Sequence, residues 1–141
     1  MKKFFLFCLI AATAAFVSCS KDEDNADEKA GNIVGKWEVY KAVDLVGSQV
    51  ESEWNKGDGG SWFIEFRKDG TGVDTEMLDY DNDSWQTEEE HFTYSVNGSS
   101  LRLQYVDGWY DIYTIEKLTS SELVISAKDG SYVMRLYLKR L

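Results

Sequence analysis

Ile33-Val34-Gly35-Lys36-Trp37-Glu38-Val39-Tyr40-Lys41 is the stretch on which the fold turns. Its apolar and charged residues alternate. Trp37 and Val39 point one way and Lys36, Glu38 and Lys41 largely the other, which is the two-residue period of a strand with one buried face. The remainder of the chain repeats this alternation in short runs, each of which can be laid back onto the first strand.

Working outward from it, Val43 to Gly60 is polar and Gly-rich, and Leu45, Val46, Val50 and Trp54 are spaced for a short helical segment at most. From Ser61 onward, strands and turns alternate. Trp62, Ile64 and Phe66 face inward ahead of the turn Lys68-Asp69-Gly70, and Val73, Thr75 and Met77 are expected to face inward beyond it. An acidic connection from Leu78 to Trp85 leads to Phe92, Tyr94 and Val96. Asn97-Gly98 then supplies the positive φ that a tight hairpin turn needs. Leu101, Leu103 and Tyr105 return, Asp107-Gly108 turns, and Tyr113, Ile115 and Leu118 follow with the spacing of a bulge near Lys117. Leu123, Ile125 and Ala127, the turn Asp129-Gly130, and Met134, Leu136 and Leu138 make the last pair. These are eight strands in sequential hairpins with no crossover helix, so the expected fold is all-β: an eight-stranded up-and-down antiparallel barrel, with a two-sheet sandwich or open meander as the rival. The absence of Pro agrees with a sheet that has few edges to hold one.

The first 32 residues read differently. Met1-Lys2-Lys3 is a positive start, Phe4 to Ala15 is apolar, and Val17-Ser18-Cys19 places a small residue before Cys. That is the pattern of a lipoprotein signal peptide, so residues 1–18 are expected to be removed and Cys19 to be acylated. Ser20 after it lacks the acidic character that retains lipoproteins in the inner membrane, which points to an outer-membrane anchor. Residues 19–32 are an acidic, solvated tether with almost nothing apolar to bury. Residues 33–141 are the folded domain.

Two cysteines, one in the leader and one acylated, leave no disulfide framework and no Cys-based metal site in the mature chain. The net charge is −10, and loss of Lys2 and Lys3 makes it more negative by two. Such a balance repels phosphates and anionic head groups, so nucleic acid is excluded as a partner and the membrane is reached through the acyl chains. Catalytic signals are thin. His91 is the one histidine, it sits beside Glu88, Glu89 and Glu90, and no nucleophile elbow or phosphate loop accompanies it, so no enzymatic activity is expected.

Two patterns bear on a site. From Asp79 to Glu90, oxygen ligands fall at Asp79, Asp81, Asp83 and Glu90 with the spacing of a calcium loop. Ser84 stands where such loops need Gly, and the flanks read as strands, so a weak Ca2+ site and a plain acidic loop are both open; no other cofactor is implied. The second pattern is Trp54, Trp85 and Trp109. In an up-and-down barrel the odd-numbered connections share one end, and all three tryptophans lie in or beside that set, whose first and third members are the two longest. Long loops make a mouth, with these three as candidate ligand-binding residues.

Gly35-Lys36-Trp37 resembles the short Gly-x-Trp signature of lipocalins, in which the Gly permits close packing and the Trp plugs the closed end of the barrel. Together with Trp62 to Gly70, Tyr94 to Gly98 and Tyr113 to Leu123, residues 33–141 look like the lipocalin-like domains carried by Bacteroidetes lipoproteins. The acidic run after Cys19 resembles the surface-export signal of the same lipoproteins. The resemblance implies a cell-surface binding module for a small hydrophobic ligand at the barrel mouth. The alternative is a surface interaction module, binding protein or glycan through loop aromatics over a filled barrel.

Overall fold

In the computed structural model, residues 32–79 and 85–141 are described, with Asp79 and Trp85 in backbone only. The export segment, Cys19 and most of the tether lie outside the described residues. Nine strands follow in order: β1 (Gly35–Val46), β2 (Gln49–Asn55), β3 (Ser61–Phe66), β4 (Thr71–Asp79), β5 (Trp85–Asn97), β6 (Ser100–Tyr105), β7 (Tyr110–Leu118), β8 (Glu122–Asp129) and β9 (Tyr132–Arg140). Neighbours pair antiparallel from β3 to β9, and β1 pairs with both β3 and β9. That cycle closes an eight-stranded barrel, and β2, paired to β1 alone, lies outside it as a ninth strand.

β2 is the strand that the sequence reading takes for a loop with a short helical segment. Its origin lies in unequal lengths. β3 covers β1 only from Gly35 to Val39, which leaves the backbone groups of Lys41 to Val46 without a partner on that edge. Buried or half-buried backbone must be paired. β2 folds back to pair Lys41 with Asn55 and Val46 with Gln49, while β9 covers the opposite edge of β1 out to Val46. β2 and β3 therefore share one edge of β1 and diverge from each other.

The ladder also corrects the face of β4. Ile64 lies opposite Asp74, and Trp62 opposite Glu76. Residues directly opposite share a face, so Gly72, Asp74, Glu76 and Leu78 point inward and Val73, Thr75 and Met77 do not. Gly72 sets this phase. A Cβ there would sit 2.2 Å from the Phe92 ring and 2.5 Å from the Glu65 carbonyl, so only Gly admits the packing of Phe66 on Phe92, whose centroids are 5.7 Å apart. One smaller shift concerns the β5–β6 hairpin, which pairs Asn97 with Ser100 and so centres on Gly98-Ser99, one residue later than Asn97-Gly98. The bulge near Lys117 is present, as a register shift between Ile115 and Lys117.

The core occupies one half of the barrel. Trp37, Val39, Ile64, Phe66, Phe92, Leu101, Leu103, Ile115, Leu123, Ile125, Leu136 and Leu138 are buried there together. The start of β1, the three tight turns after β3, β5 and β7, and the end of β9 all lie at this end. Trp37 is fully buried and donates its Nε1–H to the Ile33 carbonyl at 2.8 Å. Arg140 seals it from outside, its guanidinium 4.1 Å from the Trp37 ring centroid. The same group donates to the Val34 carbonyl at 2.6 Å, the Ser120 carbonyl at 2.7 Å and the Asn32 carbonyl, binding the incoming chain to the β7–β8 turn. Gly35, at φ 138°, makes room: a Cβ would lie 2.5 Å from Arg140 Nη1.

Candidate functional site

The opposite end carries the β1–β2–β3 connection, the β4–β5 connection, the β6–β7 turn and the β8–β9 turn. Here the wall is split. β2 and β3, which share one edge of β1, part from each other, and β5 runs on past the last residue of β6, since Phe92 is already paired with Tyr105. In the first split lies a cavity of about 180 Å³ lined by Ala42, Trp54, Gly60, Trp62, Glu76 and Leu78, with Gly59 and Ser61 completing its wall. In the second lies an open groove of about 320 Å³ between Glu89, Glu90 and His91 on β5 and Tyr105, Val106 and Asp107.

Two indoles frame the smaller cavity. Trp54 stands opposite Ala42 on β1, packs against the core from above, and donates its Nε1–H to the Gly59 carbonyl at 3.1 Å. Trp62 donates its Nε1–H to Asp74 Oδ1 at 2.6 Å. Gly60, at φ 80°, lets the loop return so closely that a Cβ would meet the Met77 carbonyl at 2.4 Å. The indole faces are apolar while their N–H groups are satisfied, which suits a wall that a ligand can lie against.

Several inward residues of this half are acidic. Asp74 and Glu90 lie directly opposite each other, as do Glu76 and Glu88, and Asp111 follows opposite Leu103 on β6. Burial pushes the Asp74 carboxyl up to about 7; the Trp62 bond works against this, and the charges of Glu76, Glu90 and Asp111 add to it. Glu76 is raised for the same reasons, burial first and then Glu88 and Glu90. Burial, together with Asp74 and Asp111, holds the Tyr105 and Tyr113 hydroxyls protonated well above their ordinary range.

Of the residues that the sequence singles out, Trp54 sits in the cavity wall. Trp85 opens β5 opposite Asp79 at the same end, its side chain outside the described residues. Trp109 lies in the β6–β7 turn, also at this end, but its ring is 63 % exposed and its Nε1–H is donated to Asp107 at 2.9 Å. The backbones of the three tryptophans thus share one end, while Trp109 stands on the rim rather than in the cup. The calcium spacing is divided: Glu90 is paired with Asp74, five rungs down the ladder from Asp79, about 17 Å at the rise of an antiparallel strand. Glu90 therefore belongs to the cup and not to a loop around Asp79; Asp81 and Asp83 lie outside the described residues. Trp62, Asp74 and Glu76 were not singled out from sequence. Trp62 is already inward by the alternation of β3, and the signal for Asp74 and Glu76 is the phase of β4, which the Gly72 requirement fixes.

The structure is a closed antiparallel barrel sealed at one end by a buried Trp under an Arg and open at the other over a lined cup, a lipocalin-like build that agrees with binding of small ligands. A profile of the lipocalin-like domain matches residues 33–125, and the chain belongs to that family. Among solved structures it is similar to a lipocalin-like protein from Bacteroides uniformis, at 15% identity and a TM-score of 0.58 over 79% of this chain and 100% of that one. It is similar too to an uncharacterized protein from Bacteroides eggerthii, at 15% identity and a TM-score of 0.55 over 77% of this chain and 99% of that one. No curated protein matches the sequence.

Proposed function

We propose that this chain is a lipid-anchored, extracytoplasmic carrier that binds a small ligand with an apolar body at the open end of its barrel, without catalysis. The observation that carries this is the cavity between β2 and β3, walled by Trp54 and Trp62 and opening from a barrel whose other end is closed. Lipocalin-like folds are built for such ligands, and a concave, partly apolar pocket with a few polar groups is the form binding sites take. Anchoring rests on the Val17-Ser18-Cys19 context. The folded domain begins at the sealed end, so a tether from Cys19 leaves the cup free to face away from the outer membrane.

Native mass spectrometry of the protein from its own host should reveal a bound small molecule, and Trp54→Ala should release it while the thermal transition stays cooperative. An empty protein, or a ligand retained by Trp54→Ala, would speak against the reading. For the anchor, Cys19→Ser should abolish acyl labelling and release the protein or trap its precursor, since firm anchoring needs more than one chain. Fractionation of Cys19→Ser with the outer membrane, as for the parent, counts against it.

A second reading has its own support. Val106, Trp109, Tyr110 and Ile112 leave an apolar strip on the outer rim, with Val106 85 % and Ile112 52 % exposed. Such a strip suits a protein or glycan partner, engaged through the β6–β7 turn.

A further inference from the structure

We infer that the ligand held in the cup is a small organic cation, an ammonium group on an aromatic or aliphatic body; this rests on the small-ligand reading above and names its class. The cavity itself comes first. Its walls are two indole rings, Leu78 and Ala42, and its one ionisable lining residue is Glu76. An apolar body against indoles and a positive head toward a carboxylate is the pairing such a lining recognises, and indole faces attract cations in their own right.

Sequence register supplies a second, separate argument. Asp74 opposite Glu90 and Glu76 opposite Glu88 are two successive like-charge pairs on one face of one hairpin. Like charges directly opposite are destabilising. Elsewhere the chain answers its acids with bases: the ion pairs between described residues are Lys41–Glu53, Lys56–Glu38, Arg67–Glu65, Lys117–Glu122 and Arg135–Glu116, and none reaches the cup. Along the inward positions of the open half, among the described residues, β4, β5, β6 and β7 contribute Asp74, Glu76, Glu88, Glu90 and Asp111 with Tyr105 and Tyr113, and no Lys or Arg. The countercharge is left to come from outside.

The size of that charge follows from spacing. Among the described residues no three carboxylates or imidazoles stand close enough to hold a metal ion. Carboxylates set along a wall suit a larger, softer cation that spans from Glu76 toward Asp74 while its body fills the space beside Trp54. Binding would oppose the burial that raises Asp74, so the amine should bind more tightly as pH rises through the neutral range, with Trp62, Glu76, Glu90, Asp111, Tyr105 and Tyr113 as the groups facing that carboxyl.

The test uses the full chain purified in detergent and tryptophan fluorescence titrated with three probes of one shape: 2-phenylethylamine, 2-phenylethanol and 3-phenylpropanoate. The amine should bind at least about tenfold more tightly than the alcohol, the scale of one charged hydrogen bond, and the carboxylate more weakly still. Glu76→Gln should erase the preference for the amine and keep binding of the alcohol, and the amine should bind several-fold less well near pH 5.5 than near pH 8. Equal binding of alcohol and amine, or stronger binding of the carboxylate, overturns the cation and leaves the small-ligand reading standing. So does an amine preference unchanged in Glu76→Gln. Binding of none of the three overturns the cation, and mass spectrometry of the host-derived protein then decides the small-ligand reading separately.

Discussion

The two ends of this barrel are made from the same eight strands and obey opposite rules. At the sealed end the inward side chains are mostly apolar and buried, and the charged Arg140 lies across the outside of Trp37 with its donors on three carbonyls. At the open end the same strands turn carboxylates, tyrosines and indoles inward, with like charges paired across the β4–β5 hairpin. The first arrangement maximises burial and satisfies each polar group, which is how a core supplies stability. The second forgoes both, and residues that lower stability at one end of a fold are characteristic of a site. The contrast teaches where to look: stability at one end, and at the other the site proposed above.

The largest effect expected from breaking that contrast is at the sealed end. Trp37→Ala should destabilise by about 3–5 kcal/mol, the range for truncating a fully buried aromatic, because the indole fills the base of the barrel and holds Ile33 and Arg140 in place. Urea denaturation checks this. A loss below about 1 kcal/mol would show that the core does not depend on its plug.

At the open end the sign reverses. In the unfolded chain Asp74 titrates near the ordinary carboxyl value of about 3.9, and in the fold near 7. Between those values the folded state holds a proton that the unfolded state has lost, so stability falls as pH rises through that window and stays reduced above it. Asp74→Asn keeps an oxygen for the Trp62 N–H and removes the charge. It should therefore stabilise the protein near pH 8, by up to about 4 kcal/mol at 1.36 kcal/mol per pKa unit, and have little effect near pH 4. Urea melts at both pH values measure it. An equal effect at the two would mean that Asp74 is solvated and that the cup is not a low-dielectric wall.

How much of this contrast the sequence disclosed depends on which rule was in force. The sealed end was legible because alternation, hairpin turns and Gly35-x-Trp37 all agree there: Trp37, Val39, Ile64, Phe66, Leu101, Leu103, Leu123 and Ile125 are core residues by period alone. Arg140 was not legible, since nothing near it in sequence marks a residue that stacks on a ring more than a hundred positions away. At the open end alternation misleads. Val73, Thr75 and Met77 look like the inward face of β4 because hydrophobicity is the usual guide; Val73 is buried, but on the outer face, and Gly72 fixes the phase that sends Asp74 and Glu76 inward. β2 was missed for a related reason: its partner is the unpaired second half of β1, a consequence of the short β3 that no local pattern in Gln49–Asn55 announces. Which connections share an end is untouched by these differences, because it depends only on strand order.

The smallest expected effect concerns Trp109, and it separates rim from wall. Its ring is exposed, touches Asp107 through Nε1, and stands next to Tyr110 and Val106 rather than over the cavity beside Trp54. Trp109→Ala should therefore change stability by no more than about 0.5 kcal/mol, the usual range for a surface substitution, and should leave binding of a small ligand in the cup unchanged. A partner docking on the outer strip would respond otherwise, since an exposed Trp at the centre of a contact commonly carries much of its affinity. Ligand titration and partner capture on the same variant then give a two-way reading. Loss of small-ligand binding in Trp109→Ala would extend the cup to the β6–β7 turn, and the turn would have to close over the groove lined by Glu90 and Tyr105. Loss of a macromolecular partner alone would assign the rim to a second surface and leave the cup to Trp54 and Trp62.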